Sequence, residues 1–246
     1  MSIDREDLIK KHTVFPRSFL KEVQVGLTYP SLEGRRTGEA VDSFLNSNFK
    51  IASESKADEV FMPITINSDD NALSFYFEAD KCRLDVDAVE SYSSFRDSVY
   101  PKTRPLAEFA KDVAGGFGRL RLSKENYWVL KTNTPREDAE KGLSFIFRAE
   151  RMSELPTITV PSDKNSWGIS TSTRPEIFSG IDCLIKLRIE YSDNVLGYSI
   201  VLEATTEDNV GYDTFQKELL TLNQAIYQLY IDLVSDNVLE LMMTDK

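Results

Sequence analysis

The side chains able to do chemistry in this chain are few, and most stand in arrangements that do none. Asp85 and Asp87, in Leu84-Asp85-Val86-Asp87, lie two apart. On a strand they share a face, the placement that holds a hard cation such as Mg²⁺. No Lys follows to complete a nuclease-like set, and a solvated acidic strand face accounts for the pair equally well. Asp69-Asp70-Asn71 opens like a calcium loop, but the Gly and the closing Glu are missing at the needed spacing, so it reads as a turn. Arg119 and Arg121 share a strand face and are followed by Lys124, Tyr127, Trp128 and Lys131. Cations beside aromatics can stack a single-stranded nucleic acid or seat a carboxylate or phosphate. With 29 Lys+Arg against 40 Asp+Glu, the formal net charge of -11 opposes nucleic-acid binding. An anion-recognising pocket near Arg119 and Arg121 and ordinary packing of these side chains are the readings left.

Other constellations are excluded more directly. His12 is the only histidine and has no strained Ser or Cys turn beside it, so a nucleophilic triad is not expected. Cys82 and Cys183 stand about a hundred residues apart, in no metal or redox spacing, and read as reduced core thiols. Gly115-Gly116-Phe117-Gly118 lacks the Lys-Ser/Thr ending of a phosphate loop and runs from helix to strand, the wrong direction for helix-terminal amides to meet a phosphate. No catalytic residue, metal ligand or cofactor is assigned.

The elements that must position these residues follow from periodicity. Val23, Val25, Leu27 and Tyr29 alternate and predict a strand over 19–29. Ala40, Val41, Phe44, Leu45 and Phe49 lie on one helical face. Strands are expected at 59–66, 73–78, 81–86, 119–122, 127–132, 143–149, 157–160 and 167–172, with an interrupted helix over 91–114 and a polar turn over 134–141. Ile181–Tyr191 and Leu196–Ala204 alternate cleanly about Asp193-Asn194 and predict a hairpin. Phe215, Leu219, Leu222, Ile226, Leu229 and Leu233 make a five-turn apolar seam, and Ser235 begins a short further helix. The expected fold is α+β, with antiparallel sheets in two similar-sized parts, 1–133 and 134–246. The parts read as a pseudo-repeat or as a single compact domain, and the long C-terminal helix packs on a sheet. No run approaches a membrane span and no signal peptide opens the chain, so the cytoplasm is the expected compartment.

Charge is concentrated at the C-terminus. From Glu203 to Lys246 there are nine acids and two bases, a net -7. Asp232, Asp236 and Glu240 are the candidate docking acids for a basic protein partner.

The segment Leu222–Met242 resembles the C-terminal signature of a sporadically distributed bacterial family of uncharacterised proteins of about 250 residues. That signature is a helix with Ala-His, then Ile, Leu-Phe, Leu-Ile-Thr, Leu and Met at the same spacing. Phe19–Tyr29 resembles the family's opening strand. Ser91–Ala114, with Tyr92, Phe95, Pro105 and Phe109, resembles its central helix. Its strand entry, an Arg followed seven residues later by an Asn, is matched by Arg119 and Asn126. The chain departs at Asn223, where the family has His, and at Ser123, where it has a second Arg. Any role of those two residues is absent here. The resemblance carries no known reaction, and the family's patchy distribution implies conflict or defence loci. The expectation is a non-catalytic soluble protein-interaction module, an accessory, antitoxin-like or immunity component of such a system. The alternative is a ligand-binding protein or enzyme using the pocket near Arg119 and Arg121. Self-association through the seam helix is the third reading.

Overall fold

The computed structural model describes residues 3–11, 13, 15, 18–54, 56–70, 72–88, 93–132, 134–152, 167–175 and 178–244. Helix α1 (Arg5–Lys11) precedes strand β1 (Leu20–Thr28) and helix α2 (Gly38–Phe49). A meander of β2 (Ile64–Asn67), β3 (Leu73–Phe77) and β4 (Lys81–Asp87) follows, then α3 (Phe95–Ser98) and α4 (Arg104–Phe109), separated by a 3₁₀ turn at Tyr100–Thr103. Helix α4 widens into a π-helical turn, Ala110–Ala114. Then come β5 (Leu120–Lys131), α5 (Pro135–Ile146), α6 (Ala149–Met152), β6 (Trp167–Thr173), β7 (Ile181–Ser192), β8 (Val195–Thr206), α7 (Tyr212–Leu233) and α8 (Asp236–Met243).

The strands form one antiparallel sheet in the order β2-β3-β4-β1-β5-β8-β7-β6. This order is a repeat. In each half a strand is followed by a helix and a three-stranded meander, and the meander's last strand pairs back on the first. Local contacts divide the chain into two compact units, one of residues 1–21, 123–204 and 224–246, the other of 22–122 and 205–223.

Alternation decides which face of each strand is dry. Val23, Val25 and Leu27 on β1 and Cys82, Leu84 and Val86 on β4 are at most 1% exposed. The residues between them, Glu22, Gln24, Arg83 and Asp85 among them, face water or lie half-buried. Both cysteines are free and buried. At the β7–β8 turn Asp193 and Asn194 adopt φ of 52° and 62°, the two left-handed residues that a tight hairpin needs. The seam of α7 is buried along its whole length, so its apolar edge packs within the chain and is not a free interface. Ser235 caps α8, its Oγ accepting from the Val238 N–H at 3.3 Å.

Four expectations change. The stretch 143–149 is not a strand, and 134–141 is not a polar turn; both belong largely to α5. The alternation of Leu143, Phe145 and Phe147 competes there with a helical spacing. Ala139, Leu143 and Ile146 are the buried set, and Phe145 is 42% exposed. The strands 119–122 and 127–132 are one continuous strand, β5, whose central place between β1 and β8 pairs the polar middle on both sides. Of 59–66 only Ile64–Asn67 pairs as a strand, while Val60 makes one isolated bridge to Arg36. Pro63, which has no N–H to give a ladder, stands between them. The strand expected at 157–160, and His12, lie outside the described residues.

Candidate functional site

Two places in the unit of residues 22–122 and 205–223 gather side chains capable of recognition. The first is a groove of about 710 Å³. Helix α2 forms one wall through Ser43, Ser47 and Asn48; Lys102, Arg104, Glu108 and Asp112 form the other. Phe44, Phe49, Leu73 and Phe75 make its floor. That floor is the open edge of an aromatic cluster. Phe44 sits 5.1 Å from Phe77 and 5.0 Å from Phe109, ring centre to ring centre, and Phe49 sits 5.0 Å from Phe75, all edge-on. Arg104 Nε is held 2.5 Å from Glu108 Oε1. Asp112 stands on the π-helical turn, which adds a residue to the helical circuit and displaces its side chains from regular α spacing. The volume and the mixture of apolar floor and polar rim are those of small-ligand and side-chain pockets.

The second place is on the wet face of the sheet. The β1–β4 register sets Gly26 opposite Arg83 and Gln24 opposite Asp85. The β3–β4 register sets Tyr76 opposite Arg83. The Arg83 guanidinium carbon lies 4.5 Å from the centre of the Tyr76 ring, a cation–π contact. On the other side of β1, Arg121 reaches over Gly26, its Nε 3.6 Å from where a side chain on that glycine would begin. One row across four strands therefore reads Tyr76, Arg83, Gly26, Arg121. Asp85 lies beside it. Its Oδ1 is 2.8 Å from Arg83 Nε, yet both atoms are buried without an aligned hydrogen bond. Burial, reinforced by Glu22, raises the Asp85 carboxyl to about 6 against the opposing pull of Arg83 and Arg121.

The residues expected from sequence distribute as follows. Arg119 is exposed just before β5, and its backbone is tied to Thr28, whose Oγ1 accepts its N–H at 2.7 Å. Arg121 joins the row described above. Asn126, 6% exposed, lies five positions further along β5 and so on the opposite, dry face. Asp236 is exposed and forms an ion pair with Arg5, which also donates to the Ile231 carbonyl. Glu240 is exposed one turn further along α8, and Asp232 on α7 is half-buried. Arg83, Tyr76 and Gly26 were missed from sequence because only strand register brings them together. The groove was missed because its lining comes from three separate segments. Among the described residues no three of His, Cys, Asp and Glu converge as a metal set, and no helix is long and apolar enough to cross a membrane.

No known family model matches the chain, and a search of curated proteins finds no match.

Proposed function

We propose that the chain is a non-catalytic binding module that receives an apolar side chain of a basic protein partner in the groove between α2 and Pro101–Asp112. The observation that carries this reading is a groove large enough for a side chain, rimmed by polar groups and floored by half-buried Phe49 with the buried rings of Phe44 and Phe75 beneath. A net charge of -11 supplies the long-range attraction that draws in a basic partner. The resemblance of Leu222–Met242 to the bacterial family extends the proposal to an accessory, antitoxin-like or immunity role in a conflict or defence locus.

Ser47 is exposed on the groove wall, so Ser47→Trp fills the groove from the surface without entering the core. The expected result is at least a roughly tenfold loss of affinity for the partner isolated by native mass spectrometry from the source cells. Full retention by Ser47→Trp removes the groove from the reading. Exchanging Asp232, Asp236 and Glu240 for Asn or Gln is expected to slow association a few-fold and flatten its salt dependence. Asp236, already paired with Arg5, contributes less than Glu240. Rates and salt slope unchanged by all three exchanges would discard the acidic docking surface.

A further inference from the structure

We propose that the row Arg83–Gly26–Arg121 is a binding site for the oxyanion head of a ligand, a phosphate, sulfate or carboxylate group, and that Asp85 is its built-in competitor. The site lies on the sheet's wet face and is distinct from the groove.

The row meets what an oxyanion requires. Two guanidiniums come from strands on either side of β1, and the residue between them is the one without a side chain. Planar guanidinium forks match oxyanions in pairs of hydrogen bonds. A side chain at position 26 would instead lie in contact with Arg121, whose Nε and Cβ are 3.6 and 3.9 Å from where it would begin. Tyr76 packs against the Arg83 guanidinium from the far side and fixes its plane.

Asp85 already behaves as an anion at this place. Its carboxylate feels both arginines, and it lies close enough to Arg83 for an ion pair but out of line for a good hydrogen bond. The groups facing it are Arg83 and Asp87 on its own strand, Glu22 and Gln24 on β1, Arg121 on β5, and Ser74 and Tyr76 on β3. Glu22 repels it, and burial withholds water from it, so it holds its charge less firmly than an ordinary aspartate. Once protonated, Asp85 no longer draws on Arg83 or repels an incoming anion, and an oxyanion takes its place. Binding therefore strengthens as pH falls through the range where Asp85 titrates. Binding of the anion likewise raises the affinity of Asp85 for its proton, since the two equilibria are linked.

Sulfate is the probe, because it stays a dianion over the whole range and any pH dependence belongs to the protein. Titrations at constant ionic strength follow the Gly26 amide by NMR. The expected result is an affinity roughly 20-fold higher at about pH 5.5 than at about pH 7.5. Asp85→Asn is expected to bind at both pH values with the higher affinity, and Arg83→Gln or Arg121→Gln to lose the Gly26 response. Equal affinity of the native chain at the two pH values overturns the gate. No sulfate response at Gly26 in Asp85→Asn overturns the site itself. Binding that survives both arginine exchanges marks an adventitious ion only and overturns it as well.

Discussion

Gly142→Ala is expected to destabilise the protein by about 2–3 kcal/mol, although the same change in an exposed helix stabilises by nearly 1 kcal/mol. Gly142 lies inside α5, where the helix passes Tyr198 of β8. A methyl group at position 142 would start 2.0 Å from the Tyr198 hydroxyl oxygen and 2.5 Å from the ring carbon bearing it. Tyr198 cannot step aside freely. It is 1% exposed, and its hydroxyl donates to the Asp138 carbonyl at 3.0 Å in the first turn of the same helix. Alanine must push the ring, break that hydrogen bond, or lift α5 from β8. Chemical denaturation of Gly142→Ala, Tyr198→Phe and the double variant tests this. Removing the hydroxyl deletes the nearest obstacle, so the double variant should lie closer to Tyr198→Phe than additivity allows, by about 1 kcal/mol. A Gly142→Ala protein as stable as the native chain, or strictly additive variants, would show that α5 does not press on Tyr198.

Lys124→Met is expected to stabilise the protein at neutral pH, by on the order of 2–4 kcal/mol. Lys124 sits mid-strand in β5, on the face that it shares with Leu120, Leu122, Asn126 and Trp128. Desolvation there lowers its ammonium to about 7 from the usual 10.5. In the unfolded chain the same group stays protonated up to the ordinary lysine range. Native Lys124 therefore costs no stability above about pH 10.5; the cost grows as pH falls from there to about 7 and is full below it. Methionine has nearly the same length and no charge to desolvate. Its advantage should be largest near and below pH 7 and shrink steadily towards pH 10. Denaturant midpoints across that range decide the matter. A constant difference would mean that Lys124 carries its charge in water.

Much of this fold was legible because the signals were long. Five turns of seam in α7 and twelve alternating residues in β7 outweigh any local ambiguity, and both elements appear where their periods place them. Short apolar runs were less decisive. Leu143-Ser144-Phe145-Ile146-Phe147 fits both periods, and only the sheet beneath it selects Leu143 and Ile146 as the inner pair. Polar residues inside β5 disguised a central strand as two. The site was legible to the extent that Arg121 stood out with Arg119 on one strand face, beside Lys124, Tyr127 and Trp128. Its companions did not, since Arg83 and Gly26 become neighbours only through a strand pairing across 57 residues of sequence. Asn126, which came from a pattern resemblance, lies on the opposite face of β5 from Arg121, as strand parity alone requires.

The chain threads through its two compact units rather than completing one before beginning the other, and this governs its birth on the ribosome. The first unit to emerge, residues 22–122, still lacks 205–223, and the unit around β7 and β8 lacks 224–246 until those residues are made. Each boundary also falls inside a regular element, within β1, β5, β8 and α7. Residues 22–122 therefore wait for 205–223, and 123–204 for 224–246, before either unit is complete. Such contacts, distant in sequence, make folding slow and largely post-translational. A stop anywhere before residue 223 removes a piece from both units at once, and no single cut in the gene yields two self-sufficient fragments.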